Sequence, residues 1–325
     1  MTEPVPGSPR VTVVLPTHNR PAMLAEAVDS VLAQTFDDWE LVVVDDASAP
    51  PVELRVPPRF TGKVHCVRHA ESQGGSAAKN SGIAAGRGEI FAFLDDDDLY
   101  DPHYLERAVA VLDGHPDIEV LLMGVHWFGA AAEWGERTQA ESMAKLLAEA
   151  KPRPLGANVS AFGEEFLPAL LKRVPMPMQR PVVRRSALDR IGHYRADCLL
   201  WDCEWVLKAS LVARCAYLAE PLYHQRLDGQ GYSSRGSRQL EHHESGLDIR
   251  LRFLSEPPVP VSAEARTLFQ RAAGQSALSI ARYHAHRRDV ALALTAWMRA
   301  RSIDRLGVGI RSLASLSRLL ITGRV

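Results

Sequence analysis

The chain has 325 residues, of which 46% are hydrophobic and 24% charged. Its 38 Lys and Arg residues nearly balance 39 Asp and Glu residues, which leaves a formal net charge of −1. This composition is typical of a soluble globular protein and excludes a disordered or fibrous chain. The near-zero net charge also argues against a nucleic-acid-binding function.

The cysteines and the N-terminus bear on the cellular compartment. The four cysteines lack the paired spacing of a zinc site, so a reduced setting is expected. The first ten residues, MTEPVPGSPR, do not have the pattern of a signal peptide, and no run of about 18 apolar residues could span a bilayer. We therefore expect a cytoplasmic protein.

Predicted strands and helices alternate over the first 125 residues. Residues 11–15 and 40–44 are continuous apolar runs, typical of strands buried on both faces. Between them, residues 21–35 carry apolar side chains at three- and four-residue spacing, which predicts a helix. The later segments predict strands at 63–68, 89–94 and 120–125 and helices at 75–85 and 104–112. The pattern predicts an open, Rossmann-like α/β sheet that binds ligands at the carboxyl ends of its strands.

The rest of the chain has a different pattern. Residues 130–165 predict a helix and loops without strands, apolar segments return between 181 and 223, and 229–237 predicts a mobile loop. Helices alone are expected from residue 240 onward, including a helical hairpin over 264–303. We therefore predict one domain over residues 1–235 and a helical C-terminal extension over 236–325.

Four consecutive aspartates, Asp95, Asp96, Asp97 and Asp98, directly follow the apolar run that ends at Leu94. Four like charges at the end of a buried strand repel one another unless a cation neutralises them, and Mg²⁺ and Mn²⁺ prefer carboxylate ligands. The run predicts a divalent-metal site that grips a diphosphate. The alternatives are an exposed acidic turn that caps the next helix and a haloacid-type phosphatase, whose lysine and serine motifs are not found.

Polar residues also follow the first two predicted strands. Thr17 and Asn19 come after the first strand, and Asp46 ends the second. Such side chains can hydrogen-bond a nucleoside, although an ordinary turn fits them equally well. The glycine-rich start of the next predicted helix carries Lys79 and Asn80 and could bind an anion, but it lacks the spacing of a Walker or dinucleotide-binding loop.

Taken in order, these motifs resemble the family 2 glycosyltransferases with the GT-A fold. The resemblance covers roughly residues 10–226 and rests on VTVVLPTHNRPAMLAEAVDSVLAQTFDDWELVVVDDAS, GGSAAKNSGIAAGRGEIFAFLDDDDLYDPHYL, RRSALDRIGHY and LLWDCEWVLK. It implies a mixed sheet flanked by helices, with a donor half over 10–125 and an acceptor half over 126–235. It also implies inverting transfer of a sugar from a nucleotide-diphosphate sugar, with UDP as the expected nucleotide.

The resemblance also implies roles for the donor-binding residues. Asp46 would read the base, and the loop with Pro16, Thr17 and Asn19 would line the nucleoside. Lys79 and Asn80 occupy helix positions that face the nucleotide, where Arg-Asn is more usual.

The remaining implied roles concern the metal and the reaction. Asp95 and Asp97 match the two acids of the DxD motif, with Asp97 as the direct ligand of Mn²⁺ or Mg²⁺ and Asp96 beside the donor. Arg226 matches the basic position before a flexible loop that closes over the diphosphate, and His224 is a weaker candidate for contacting the metal or a phosphate.

Asp202 matches the general base of the family, and Trp201 stands where Glu is usual. The departure at Trp201 keeps open a non-catalytic nucleotide-sugar-binding protein. A nucleotidyltransferase is the other alternative, although it needs a basic triphosphate loop near the first strand, where this chain has only Arg20.

The partners expected beyond the donor are less specific. The acceptor could be a glycan, a lipid-linked molecule or a small molecule. Residues 305–325 predict a basic amphipathic helix, which could lie on an anionic membrane or pack against its own domain or a second copy of the chain.

Overall fold

The computed structural model describes residues 7–156, 158–228 and 238–322. The strands in these residues are β1 (Val11–Thr17), β2 (Trp39–Asp45), β3 (Val64–Arg68), β4 (Ile90–Phe93), β5 (Leu99–Tyr100), β6 (Val120–Phe128), β7 (Arg153–Gly156), β8 (Val159–Ala161), β9 (Pro181–Arg184) and β10 (Cys215–Arg226). The helices are α1 (Pro21–Leu32), α2 (Gly75–Ala85), α3 (Tyr104–Gly114), α4 (Ala132–Ala150), α5 (Phe166–Lys172), α6 (Arg185–Ile191), α7 (Trp201–Val212), α8 (Gln239–Ser255), α9 (Ala263–His286), α10 (Val290–Ile303) and α11 (Ile310–Thr322).

The strands form one mixed sheet in the order β3-β2-β1-β4-β9-β6-β10-β8-β7, with β5 paired to β10. β1 runs parallel to β2 and β4, because α1 and α2 carry the chain back between consecutive parallel strands. β9 is antiparallel to both of its neighbours, β4 and β6. The predicted mixed α/β sheet flanked by helices is therefore confirmed.

The centre of the sheet is apolar on both faces. Every residue of β2 is buried, as expected for a continuous apolar run in a parallel strand. On one face, α1 packs Leu24, Val28 and Val31 into the large core. The buried central strands fix the edge at which the polar residues after β1, β2 and β4 meet.

The region from 130 to 165 differs from the prediction. α4 is the expected helix, but β7 and β8 follow it and extend the sheet beyond β10. Their sequences, RPLG and VSA, are short and only partly buried, so they carry no alternating or continuous apolar pattern. Pairing of β8 with β10 and of β7 with β8, rather than local sequence preference, makes these segments strands.

The chain divides into two compact units, one made of Met1–Ala196 and Trp201–Gln230 and the other of Asp197–Leu200 and Gly231–Val325. The second unit contains α8 to α11, so the described residues from 238 onward are helical as predicted, with the hairpin formed by α9 and α10. The predicted loop at 229–237 lies outside the described residues. The predicted domain boundary at residue 235 stays a prediction.

The last helix uses its apolar side within its own unit. Leu316 and Leu319 of α11 are each 3% exposed and belong to the apolar core shared with α9 and α10. The expected packing of this segment against its own domain is therefore found, and these two leucines do not face a lipid surface. None of the helices in the described part of the chain is long and apolar enough to cross a membrane.

Candidate active site

The four aspartates after β4 alternate between accessible and buried positions. The side chains of Asp95 and Asp97 are 27% and 22% exposed, whereas those of Asp96 and Asp98 are 8% and 3% exposed. The two accessible carboxylates are the pair that the DxD spacing singles out.

Asp95 is held between two buried cations. Lys79 Nζ lies 2.8 Å from Asp95 Oδ1, and Arg180 Nη2 lies 3.2 Å from Asp95 Oδ2. Burial acts to raise the pKa of Asp95, but the charges of Lys79 and Arg180 outweigh it and hold this pKa well below its usual range. Asp95 is therefore an anion fixed by the protein's own cations.

A second basic group ties the loop after β1 to the tetrad. Arg20 Nη1 donates to Asp96 Oδ1 and Asp97 Oδ2, each at 2.9 Å. Thr17 Oγ1 donates to Asp96 Oδ2 at 2.7 Å, whereas Pro16 lies within β1. Burial raises the pKa of Asp96 and of Asp97.

The fourth carboxyl group is buried among hydrogen-bond donors. Tyr223 Oη donates to Asp98 Oδ2 at 2.8 Å, and the Arg226 backbone N–H donates to Asp98 Oδ1 at 2.9 Å. Burial raises the pKa of Asp98, while the charge of Arg180 acts in the opposite direction. Lys79, Arg180 and Arg20 thus offset part of the negative charge of the tetrad within the protein itself.

Asp202 lies in the first turn of α7 and interacts with the same cations. Burial raises its pKa, while the charges of Arg180 and Lys79 act in the opposite direction. Asp202 Oδ1 also accepts a hydrogen bond from the Cys203 backbone N–H at 2.8 Å. The structure therefore brings Asp202 and Asp95 to one cationic cluster.

Trp201 covers Lys79. Its ring centroid lies 4.8 Å from Lys79 Nζ, and the rings of Phe93 and Tyr194 lie 5.8 Å and 5.9 Å from the same atom. An ammonium group within about 6 Å of an aromatic centroid is attracted by the ring quadrupole. Trp201 thus helps to hold Lys79 beside Asp95.

Asp46 is surrounded by donors from one loop. Its Oδ1 accepts from the Gln73 N–H at 2.8 Å and lies 2.7 Å from His69 Nδ1, and its Oδ2 accepts from Ser72 Oγ at 2.7 Å and the Gly74 N–H at 2.9 Å. Although burial acts to raise it, these hydrogen bonds lower the pKa of Asp46 to about 2. Four donors occupy the directions in which a carboxylate accepts hydrogen bonds, so the carboxylate organises the loop.

Asn19 and Asn80 connect backbone segments in the same way. Asn19 Oδ1 accepts from the Ala49 N–H at 2.8 Å. Asn80 Nδ2 donates to the Tyr194 carbonyl at 2.7 Å, and Asn80 Oδ1 accepts from the Tyr194 N–H at 2.8 Å. Both amides shape the loops around the acidic cluster.

His224 packs against another histidine ring. Its ring centroid lies 5.2 Å from that of His126, and burial lowers its pKa, with a smaller contribution from His126. Among the described residues, no group of three His, Cys, Asp or Glu side chains is arranged to hold a metal ion. Arg226, two residues further along β10, does reach the cluster, since its Nε donates to the Asp97 carbonyl at 2.9 Å.

The donor chemistry at Asp97 and Asp95 nevertheless fits a divalent ion. Mg²⁺ commonly binds one or two protein carboxylates and completes its shell with water and substrate phosphates, so a full protein cage is not required. Both carboxylates are partly exposed, and the charge of Asp95 raises the pKa of Asp97, as expected for close like charges.

Sequence reasoning missed Arg180 and Tyr223. Arg180 directly precedes β9, and because β9 is antiparallel to β4, its first residues lie at the edge where β4 ends. Tyr223 lies near the end of the 12-residue strand β10, next to the polar residues that close this strand. A basic residue just before a buried strand was the available signal, but it points to this edge only once the strand direction is known.

The chain resembles known proteins in sequence and in fold. Residues 12–190 match the family model described as Glycosyl transferase family 2. The O-antigen biosynthesis protein RfbC of Myxococcus xanthus is 28% identical over 235 residues, which is 70% of this chain but only 17% of RfbC.

Two solved structures share the fold. TarS 1-349 from S. aureus, solved in complex with UDP-GlcNAc, is 17% identical and has a TM-score of 0.63, with 97% of this chain and 92% of that chain covered. The mannosyltransferase PcManGT from Pyrobaculum calidifontis, solved with GDP-Man and Mn²⁺, is 18% identical and has a TM-score of 0.51, with 97% and 82% covered.

Proposed function

Because the chain belongs to glycosyl transferase family 2, we propose that it transfers a sugar from a nucleotide-diphosphate sugar to an acceptor hydroxyl with inversion at the anomeric carbon. UDP is the proposed nucleotide, since a protein of the same fold, TarS, was solved with UDP-GlcNAc. The acceptor is a glycan, a lipid-linked molecule or a small molecule.

The observation that carries the proposal is the shared environment of Asp95 and Asp202. Lys79 and Arg180 hold Asp95 through ion pairs of 2.8 Å and 3.2 Å. Burial raises the pKa of Asp202, and the charges of the same two cations oppose this rise. A donor-binding carboxylate and a candidate base beside one another are what a displacement at a sugar carbon requires.

Asp202 is the proposed general base. In an inverting displacement, the acceptor hydroxyl loses its proton as its oxygen attacks the anomeric carbon, and a carboxylate on that side takes the proton. Burial raises the pKa of Asp202, which strengthens it as a base, while Arg180 favours the ionised form that can accept a proton.

Asp97 and Asp95 are the proposed carboxylates for Mn²⁺ or Mg²⁺. The ion, when bound, would supply positive charge to the leaving diphosphate. Arg20 orients Asp97 through its 2.9 Å hydrogen bond, and Arg226 fixes the adjacent backbone carbonyl. Lys79 keeps Asp95 ionised at neutral pH.

The test is a donor panel on the full chain. UDP-, GDP- and TDP-sugars are incubated with the protein with and without Mn²⁺ or Mg²⁺, and nucleotide release is measured. We expect release from a UDP-sugar that depends on the metal. Release of pyrophosphate from a nucleoside triphosphate would instead support a nucleotidyltransferase, and donor binding without turnover would support a binding protein.

Two variants assign the carboxylates. Asp202→Asn should lower turnover by about 10²–10⁴-fold while donor affinity is kept, because only proton removal is lost. Asp97→Ala should weaken metal-dependent donor binding as well. Asp38→Asn, at an exposed position that no proposed role uses, is the matched control. Turnover of Asp202→Asn at the wild-type rate would refute the assignment of the base.

A further inference from the structure

The formal charge of the chain is very unevenly distributed. Residues 265–325 contain 11 arginines and no lysine, but only two acidic residues, Asp289 and Asp304. This segment therefore carries a formal charge of +9 in a chain whose total is −1. Charge asymmetry of this kind within one chain indicates a surface that meets an anionic partner.

The two acidic residues do not offset the arginines at the surface. Asp304 is 6% exposed, and the half-buried Asp289 caps α10, where its Oδ1 accepts from the Leu292 N–H at 3.2 Å. By contrast, the arginines in and next to α10 are all exposed, namely Arg287, Arg288, Arg299, Arg301 and Arg305. Clusters of four to eight basic residues on an amphipathic helix are typical of anionic lipid binding.

α10 also exposes apolar side chains. Val290, Leu294 and Met298, spaced four residues apart, are 52%, 39% and 58% exposed and form a stripe along the helix. Leu292 is 47% exposed as well. The opposite side of the helix packs Ala293, Ala296 and Ala300 into the core of the unit, with Trp297 and Ile303 packed against this core. α10 is therefore anchored on that side and presents the stripe outward.

We propose that the exposed face of α10 binds an anionic lipid surface, with the stripe of Val290, Leu294 and Met298 inserted at the boundary between headgroups and acyl chains. A helix at such an interface uses apolar residues on one side and arginines beside them. Exposed side chains of this kind can enter a lipid surface without a matching groove.

Other occupants fit this surface less well. A second copy of the chain could pack its own α10 antiparallel to this one, with the two helices crossing at Leu294. Arg287, seven residues before Leu294, would then lie opposite Arg301 of the other copy, seven residues after it, and like charges would repel. A nucleic acid would pair with the arginines but would leave the apolar stripe unused. A lipid surface with anionic headgroups uses both features.

The test is cosedimentation of the full chain with vesicles. One vesicle preparation contains only phosphatidylcholine, and in the other every third lipid is phosphatidylglycerol. We expect binding to the anionic vesicles that weakens at high salt. Because each arginine near an anionic surface contributes about 1 kcal/mol, Arg299→Gln combined with Arg305→Gln should lower the partition coefficient by about 30-fold.

The apolar stripe has its own variant and control. Leu294→Ser combined with Met298→Ser should also release the protein from the anionic vesicles. Trp134→Ser, at a 57% exposed apolar position in the other unit, and Arg153→Gln, at another exposed arginine, should leave binding unchanged. Thermal unfolding of each variant confirms that it is folded.

Three results would overturn the proposal. The first is equal binding of the wild type to both vesicle preparations. The second is a stripe variant that binds the anionic vesicles as tightly as the wild type. The third is light scattering in which the wild type is a dimer and the stripe variant is a monomer. A fourth result would assign the surface to nucleic acid. The protein would bind a single-stranded oligonucleotide as tightly as it binds the anionic vesicles, and the stripe variant would bind that oligonucleotide as tightly as the wild type.

Discussion

Arg180 connects the acidic residues that the proposed function uses. It is 6% exposed, and its guanidinium lies 3.2 Å from Asp95, 3.8 Å from Asp98 and 5.3 Å from the ring centroid of Tyr223. Its Nε has no hydrogen-bond partner among the described protein groups. Arg180 therefore holds the cluster through its terminal nitrogens, and the cluster depends on its charge.

A neutral residue at position 180 should destabilise the protein more than a charged one. Arg180→Met should lower the free energy of unfolding by about 3–5 kcal/mol, because removing one member of a buried ion pair leaves buried negative charge that is no longer compensated. Arg180→Lys keeps the charge and should cost less. Urea unfolding of both variants measures the difference, and a methionine variant as stable as the wild type would contradict the role of Arg180.

Asp46 makes a pH-dependent contribution to stability. Its pKa is lowered from 3.8 to about 2 in the folded protein, so folding favours the ionised form. This stabilisation is fully present above the unfolded pKa and is lost as the pH falls through the folded pKa. The shift corresponds to roughly 2 kcal/mol at neutral pH.

The prediction for Asp46 concerns the difference between two proteins. Asp46→Asn should be less stable than the wild type at pH 7, and the gap between them should shrink as the pH falls from about 4 to about 2. Urea unfolding across this range measures the gap. A gap that stays constant down to the acid end would show that the ionised carboxylate is not what organises the loop.

At the scale of elements, the packing of α2 on β1 depends on a residue without a side chain. A Cβ added at Gly82 would lie 2.3 Å from Val14 Cγ1, far closer than two carbon atoms approach. α2 carries Lys79 and Asn80, so the distance between this helix and the sheet sets where both of them reach. Gly82 thereby links helix packing to the site.

Gly82→Ala should therefore push α2 away from β1. Overpacking of a tight core typically costs 1–3 kcal/mol, so we expect a loss of about that size in the free energy of unfolding, with weaker donor binding. Gly114→Ala in α3 is the matched control, because an added Cβ there meets no atom within 4 Å. Equal stability of both variants would rule out close packing as the reason for the glycine.

At the scale of the whole molecule, each compact unit has its own apolar core. The core of the first unit surrounds β1, β2 and β4, and that of the second joins α8 to α11. In the second unit, Phe253 and Phe269 are fully buried and stack with centroids 4.3 Å apart. Loss of one ring should therefore weaken the helices of that unit first.

Phe269→Ala should lower the stability of the second unit by about 3–5 kcal/mol, as is typical for a buried aromatic residue. Hydrogen exchange should rise in α8 and α9, whereas amides of β1 and β2 should keep their protection. Phe162→Ala, a partly buried aromatic position in the first unit, serves as the comparison. Uniform loss of protection across the chain would contradict separate cores.

The sequence by itself determined the alternating strands and helices of the first 125 residues, the helical character of the C-terminal unit and the family. Continuous apolar runs and helical spacing are both local signals. A strand that is buried on both faces has consecutive apolar residues, and a helix that is buried on one face has apolar residues three and four positions apart. The Asp95–Asp98 run and Asp202 could also be identified from the sequence, because they stand at fixed positions in motifs that follow one another in order.

Only the tertiary structure decided how those carboxylates are neutralised. Arg180 lies in the cluster because β9 runs antiparallel to β4. The direction of a strand cannot be inferred from a short apolar run, because parallel and antiparallel strands buried on both faces have the same apolar pattern. The strand β8 exists through pairing with β10, and β7 through pairing with β8. Leu316 and Leu319 of α11 are buried, whereas Leu294 and Met298 of α10 are exposed. Such choices depend on residues that are far apart along the chain, whose contacts no local pattern records.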